Sequence, residues 1–323
     1  MKSVDDLQGF YESDLKGSLT TLEVMRKAIV NLFLAVTAIT LVVTLGVLVA
    51  VAANNGSPFL AFIPLVLGLV GGGIAVNGKY KTYLNDFKSR IIGPIVRFID
   101  GNLTYTAGGC ISEQRFRGSG IYQQGIDRYR GDDLVRGSIG DTALEFSEIH
   151  AEYKTETRDS KGNRRTHWHT IFKGLFFIGD FNKEFHGKTY VLTDVAEKTL
   201  GWLGQKLQEW NLSRDQLVKL EDAEFEKEFA VYSDDQVEAR YILSPALMRR
   251  LLDFRRRTKK DVQFSFVRSS VHISIPFHED LFEPRLFRTV VAFEPIQGYF
   301  EVLSMAVGVV EDLNLNNRIW TKV

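Results

Sequence analysis

Residues 28–78 form an unbroken run of 51 positions without one Asp, Glu, Lys or Arg. A modest water-soluble domain would have to hide all of it in its core, whereas a bilayer solvates it directly. Two apolar runs lie within it. At 1.5 Å per residue, the run 28–53 reaches ~39 Å and the run 58–76 reaches ~28 Å, against a hydrocarbon core of ~30 Å. The first is long enough to tilt and the second just spans. Asn54, Asn55, Gly56 and Ser57 form an uncharged polar turn between them. The pattern predicts a transmembrane hairpin. A signal peptide is excluded, because the run starts late, exceeds an h-region in length and follows several acids.

Flanking charge sets the orientation. Arg26 and Lys27 precede the first span, and Lys79, Lys81, Lys88 and Arg90 follow the second, while the turn has no base. Positive-inside then puts both ends of the hairpin, and with them both termini, in the cytoplasm. Gly68 and Gly72 stand in GxxxG spacing, and Thr37, Thr40 and Thr44 recur at helical spacing on the first span. These small residues are the expected packing face, within the hairpin or between copies in a homo-oligomer. Pro64 is expected to kink the second span.

Outside the hairpin the chain reads as globular. Lys plus Arg number 40 and Asp plus Glu number 40, so no basic surplus marks a nucleic-acid binder. The lone cysteine, Cys110, excludes an internal disulfide and suits a reducing compartment. In residues 1–27, Ser3 and Asp6 make a capping box ahead of a helical stripe of Leu7, Phe10, Leu15, Leu22 and Met25. A short helix resting on the soluble domain or the membrane surface is expected. Residues 80–99 read as a helix leaving the membrane, bent near Gly93-Pro94.

The middle is β-rich. Strand patterns cover 128–130, 134–139, 143–157, 164–180 and 189–192, with 143–157 and 164–180 joined as a hairpin through a turn at 159–163. The second of these is apolar on both faces, as for a central strand. A helix follows from 196, with Leu200, Leu203 and Leu207 on its stripe. Short apolar pieces come at 217–220 and 229–232. Ser244-Pro245 starts a helix to about 257, strands follow at 262–268 and 271–276, and a last helix covers about 296–313. Strands, helices and strands without a βαβα rhythm predict an α+β domain over 78–323 with a mainly antiparallel sheet. The domain plan is thus an N-terminal helix at 1–27, a hairpin at 28–77 and a cytosolic domain.

Lys219-Leu220-Glu221-Asp222, Phe225-Glu226-Lys227, Val231-Tyr232-Ser233-Asp234-Asp235-Gln236 and the run on to Ser244-Pro245-Ala246-Leu247 form one extended motif. With Phe172-Lys173-Gly174-Leu175-Phe176 and Phe146-Ser147-Glu148, this resembles an uncharacterised family of bacterial two-span membrane proteins carrying a domain of unknown function. Its members are often encoded near LemA-type membrane proteins. The resemblance implies an inner-membrane protein with a cytosolic domain, and a LemA-type protein as partner. It implies no reaction, catalytic residue or cofactor.

Candidate chemistry is sparse. His167 and His169 would share one face of a strand, the geometry two metal ligands need, but strand pairing puts Thr155 and Tyr153 opposite them. Glu221, Asp222, Glu224, Glu226, Asp234 and Asp235 lack the loop spacing of a calcium site. Gly118, Gly120, Gly125 and Gly131 alternate with arginines as in an anion-binding loop, without a phosphate-loop motif. Arg249, Arg250, Arg255, Arg256, Arg257, Lys259 and Lys260 form a basic patch suited to anionic lipid or an acidic partner. The reading that follows is a membrane-anchored cytosolic binding or scaffold module. A tethered metal- or phosphate-dependent enzyme, and an oligomeric channel or lipid-handling protein, are its alternatives.

Overall fold

The computed structural model describes residues 2–158, 162–181, 183–193, 216–313 and 315. The helix from 196 expected above lies outside the described residues, as does most of the 159–163 turn. The chain divides into two compact units. One contains residues 2–95 and 282–300, and the other contains the rest. Charge along the sequence suggests a boundary at residue 78, but packing joins the distant segment 282–300 to the N-terminal helices.

In the first unit, helix α1 (Val4–Ala53) runs 50 residues without interruption. The Ser3 and Asp6 capping box opens it. The expected short N-terminal helix is therefore the first part of one long helix, eased by a π-turn at Tyr11–Leu15. Leu7, Tyr11, Leu15, Leu19 and Leu22 are buried along one face. Tyr11 donates to the Val291 carbonyl and meets the Phe293 ring edge-on at 5.3 Å. Segment 282–292 thus straps the N-terminal half of α1.

Helix α2 (Pro58–Ile99) returns over 42 residues. It opens with a 3-10 turn at Pro58–Ala61, so Pro64 falls in the first turn of the α-helix that follows, where few internal hydrogen bonds are lost. Its irregularity is a π-turn at Lys88–Ile92, just before Gly93-Pro94. Both helices are long and apolar enough to cross a membrane. Large apolar side chains stay exposed along them, among them Ile39, Val42, Leu45 and Val49 on α1 and Phe59, Val66, Leu69 and Ile74 on α2.

The second unit is built on β1 (Thr104–Thr106), α3 (Glu113–Gly118), β2 (Arg128–Ile139), β3 (Thr142–Arg158), β4 (Arg164–Asp180) and β5 (Lys188–Thr193). It continues through β6 (Gln216–Leu217), α4 (Ala223–Glu228), β7 (Phe229–Ser233), α5 (Gln236–Ile242), α6 (Pro245–Thr258), β8 (Gln263–Val267) and β9 (Ser270–Pro276). Helix α7 (Phe293–Asp312) is shared, residues up to 300 belonging to the first unit and those from 301 to the second. Nine strands form one sheet in the order β1-β2-β3-β4-β9-β8-β5-β7-β6, antiparallel throughout. This is the expected α+β class. From Phe172 onward strand β4 is covered on both faces. Phe172, Phe176 and Ile178 join a core with Phe116 and Tyr190 on one side. Phe177 and Leu175 are buried on the other.

Candidate functional site

Of the small residues read from the sequence, Gly68, Gly72 and Thr40 meet where helices α1 and α2 touch, and Val36, outside that set, completes the contact. A Cβ on Gly68 would overlap the Thr40 side chain, and one on Gly72 would overlap Val36. Val36 and Thr40 are one turn apart, as are Gly68 and Gly72, so the α1 pair fits the gaps that the α2 pair leaves. Gly71 and Gly73 face no atom within 4 Å. Thr37 and Thr44 turn their hydroxyls to the carbonyls of Phe33 and Thr40, one turn back on their own helix. The GxxxG face is thus spent inside the hairpin.

Beside that contact lies a groove of about 450 Å³. Val36, Leu41, Leu65, Leu69 and Val76 line its length, Asn77 and Tyr80 lie at one end, and Leu286 and Phe287 of the strap border it. Below the groove, Glu23 and Arg26 form a buried pair 2.7 Å apart, with side chains only 12% and 11% exposed. Arg26 also donates to the Leu286 carbonyl at 2.7 Å, and Glu23 accepts from the Val290 amide at 3.2 Å. The Arg26 hydrogen bonds outweigh burial and hold the Glu23 carboxyl down at about 2. The Tyr83 hydroxyl is buried nearby with no hydrogen-bond partner among the described residues, and burial pushes it well above the usual phenol range.

In the sheet unit, β3 and β4 outrun their neighbours. Pairing with β2 ends at Glu152 and pairing with β9 ends at Gly174. Gly174 has φ +149°, and a Cβ there would strike the Ile275 carbonyl oxygen. The backbones of β4 and β9 meet closely at that point, and β4 continues beyond it paired only with β3. Residues 153–158 and 164–170 therefore stand out as a two-stranded ribbon, exposed on almost every side chain. Trp168 is 40% exposed, with the Arg128 guanidinium 3.7 Å from its ring centre. Among the described residues, no strand pairs with the ribbon half of β4 on the side away from β3.

The register bears out the pairing expected for the histidines, with His167 opposite Thr155 and His169 opposite Tyr153. His169 lies 2.9 Å from the Thr155 hydroxyl and stacks on Tyr153 at 4.9 Å, and His167 lies 3.3 Å from Thr157. Among the described residues, no group of three or more His, Cys, Asp or Glu side chains could hold a metal ion. The acidic residues are dispersed into capping and pairing. Asp222 and Asp235 cap α4 and α5, Asp234 accepts from the Lys188 amide, and Glu224 pairs with Arg256. Arginines of the glycine-rich stretch are paired too, Arg115 with Glu145, and Arg128 and Arg130 with Glu152.

Most of the basic patch is bound within the fold. Arg255 pairs with Glu228 and Asp261, Arg257 with Asp312, and Arg250 donates to the Asp312 carbonyl. Lys259 ends α6 in the left-handed region, Lys260 sits 4.5 Å from the Phe277 ring centre, and Arg249 is exposed. Burial pushes the Cys110 thiol up, with Asp132 adding to it. Cys110 in the folded protein should therefore react with a maleimide at pH 8 several-fold more slowly than a free thiol, and at the free rate after denaturation. Equal rates in both states would contradict that environment. The groove, the strap and the bonds from Glu23 and Arg26 to it escape sequence reading, because each joins residues more than 200 positions apart.

Residues 170–315 match the family model DUF3137, described as a protein of unknown function. The matched stretch begins within β4 and leaves the two apolar helices outside it. No curated protein matches the chain. The crystal structure of the mycobacterial trehalose monomycolate transport factor A, TtfA, aligns over 66% of this chain and 95% of its own, at 9% identity and a TM-score of 0.30. At that score the likeness carries no argument about function.

Proposed function

We propose that this chain is a membrane-anchored binding module. Its hairpin spans the bacterial inner membrane with both termini cytosolic, and its sheet unit offers the β3–β4 ribbon to a protein partner. Membrane insertion is supported by the exposed apolar side chains on both helices, since each would cost ~25 cal/mol per Å² of apolar surface in water. Orientation rests on Lys27, Lys79 and Lys81 at one end of the hairpin and no base at the other.

The ribbon is the observation that carries the binding function. An open strand edge invites pairing by an added strand unless something covers it. An exposed tryptophan with an arginine across its face is the side-chain chemistry that dominates protein interfaces. Purification from native membranes in gentle detergent should return a stoichiometric protein partner, with a LemA-type protein the first to look for. Trp168→Ala should cut its recovery at least about tenfold while leaving the fold intact, as loss of a hot-spot residue does. Undiminished recovery with Trp168→Ala would remove the ribbon from the reading. Wild-type protein free of any protein partner would end the reading itself.

A further inference from the structure

We propose that the groove beside the hairpin contact holds one acyl chain of an anionic phospholipid from the cytosolic leaflet, with its phosphate at the Arg285–Arg288 turn. The inference rests on the membrane insertion proposed above. From Leu65 to Tyr80 the groove follows α2 for ~22 Å at 1.5 Å per residue, the depth of one hydrocarbon leaflet (~15 Å) plus part of the headgroup zone. Its volume of about 450 Å³ is that of a small-molecule site. Its walls along the spans are apolar but for Thr37, whose hydroxyl is bonded to the Phe33 carbonyl, and Thr40, while Asn77 and Tyr80 lie at the end nearer the cytosol.

Charge complementarity at that end selects the lipid. Arg285 to Arg288 form a tight turn, closed by the Arg288 amide on the Arg285 carbonyl at 3.1 Å. The two central residues, Leu286 and Phe287, border the groove, and the two outer residues are exposed arginines. Phe287 is 69% exposed and meets Phe33 of α1 edge-on at 6.1 Å. An exposed aromatic between two arginines is the pattern of an interfacial anchor, its ring among the upper methylenes and its cations at the phosphates. Lys79 and Lys81, beside Tyr80 in sequence, add positive charge at the same level. The Arg26 bond to the Leu286 carbonyl fixes the turn against α1. A second copy of the hairpin is the poorer occupant, because the glycine face is already filled by Thr40 and Val36.

The full chain should be reconstituted into vesicles of equal parts phosphatidylglycerol and phosphatidylcholine, extracted into mild detergent, and its retained lipid measured by native mass spectrometry. One phosphatidylglycerol per chain is expected, in preference to phosphatidylcholine. Arg285→Ala with Arg288→Ala should lower that preference at least about tenfold, since each base near a headgroup contributes about a kcal/mol. Leu69→Trp, which fills the groove, should abolish retention of either lipid. Equal retention of both lipids by wild-type protein, or undiminished phosphatidylglycerol in the double arginine variant, would overturn the proposal. Carbonate extraction of the same vesicles separates the two failures. A chain that washes off refutes membrane insertion, whereas one that resists extraction yet retains no phosphatidylglycerol refutes the lipid site alone.

Discussion

Gly68→Ala should destabilise the helix pair by ~1–3 kcal/mol, the range for overpacking a close contact. The added Cβ falls on the Thr40 side chain, itself buried at the interface. Neither helix can yield cheaply, because Gly72 meets Val36 one turn away and holds the same separation. Gly71→Ala is the internal control. That glycine has no neighbour within 4 Å, so alanine there gains helix propensity without a clash and should be neutral or slightly stabilising. Thermal unfolding of the full chain in mild detergent, followed by helical circular dichroism, measures all three proteins. Thr40→Ala in the Gly68→Ala background should recover much of the loss, with a coupling energy above ~0.5 kcal/mol. Equal effects of alanine at 68 and 71, or strict additivity of the 40 and 68 substitutions, would show that the helices do not meet there.

The α2 half of that contact was legible in the sequence because Gly68 and Gly72 repeat at helical spacing inside an uncharged run, whereas on α1 only Thr40 of the threonine repeat takes part and Val36 carried no such signal. The long strands were legible for a similar reason. Alternation and β-branched content define 143–157 and 164–180, and the observed strands differ from them by no more than a residue at either end. The β8–β9 connection shows where such signals stop. Its turn residues Arg268 and Ser269 both adopt left-handed conformations, at φ 53° and 55°, without the Asn-Gly or Gly that usually mark such a turn. The nine-strand order also eluded sequence reasoning, since β4 pairs with β9 almost a hundred residues later. The strap is the clearest case. Residues 282–292 carry no periodicity, and their hydrogen bonds to Tyr11, Glu23 and Arg26, with the Phe287 ring against Phe33, reveal them as part of the helical unit.

Arg26→Ala should release that strap. The pair it belongs to is nearly dry, and removing one member leaves the Glu23 carboxylate buried without its main partner, a loss of ~3–5 kcal/mol at neutral pH. Both strap anchors go together, because Arg26 holds Leu286 directly and orients Glu23 toward the Val290 amide. Hydrogen exchange in peptides covering 282–300 should accelerate strongly, while the β4 core near Phe176 stays protected. The pH dependence distinguishes a charge effect from a packing effect. In the wild type, Glu23 titrates at about 2 instead of the ordinary 4.5, so its contribution is fully present above pH 4.5 and fades as pH falls toward 2. Without Arg26 the largest cause of that depression is gone and only the Val290 and Thr289 hydrogen bonds are left to oppose burial, so Glu23 takes up a proton at higher pH than in the wild type, which relieves the stranded charge. The deficit of Arg26→Ala relative to wild type should therefore shrink between pH 5 and pH 3, measured by the same exchange experiment. A deficit that stays constant across that window would assign the Arg26 contribution to the packing of its side chain and to the Leu286 hydrogen bond alone.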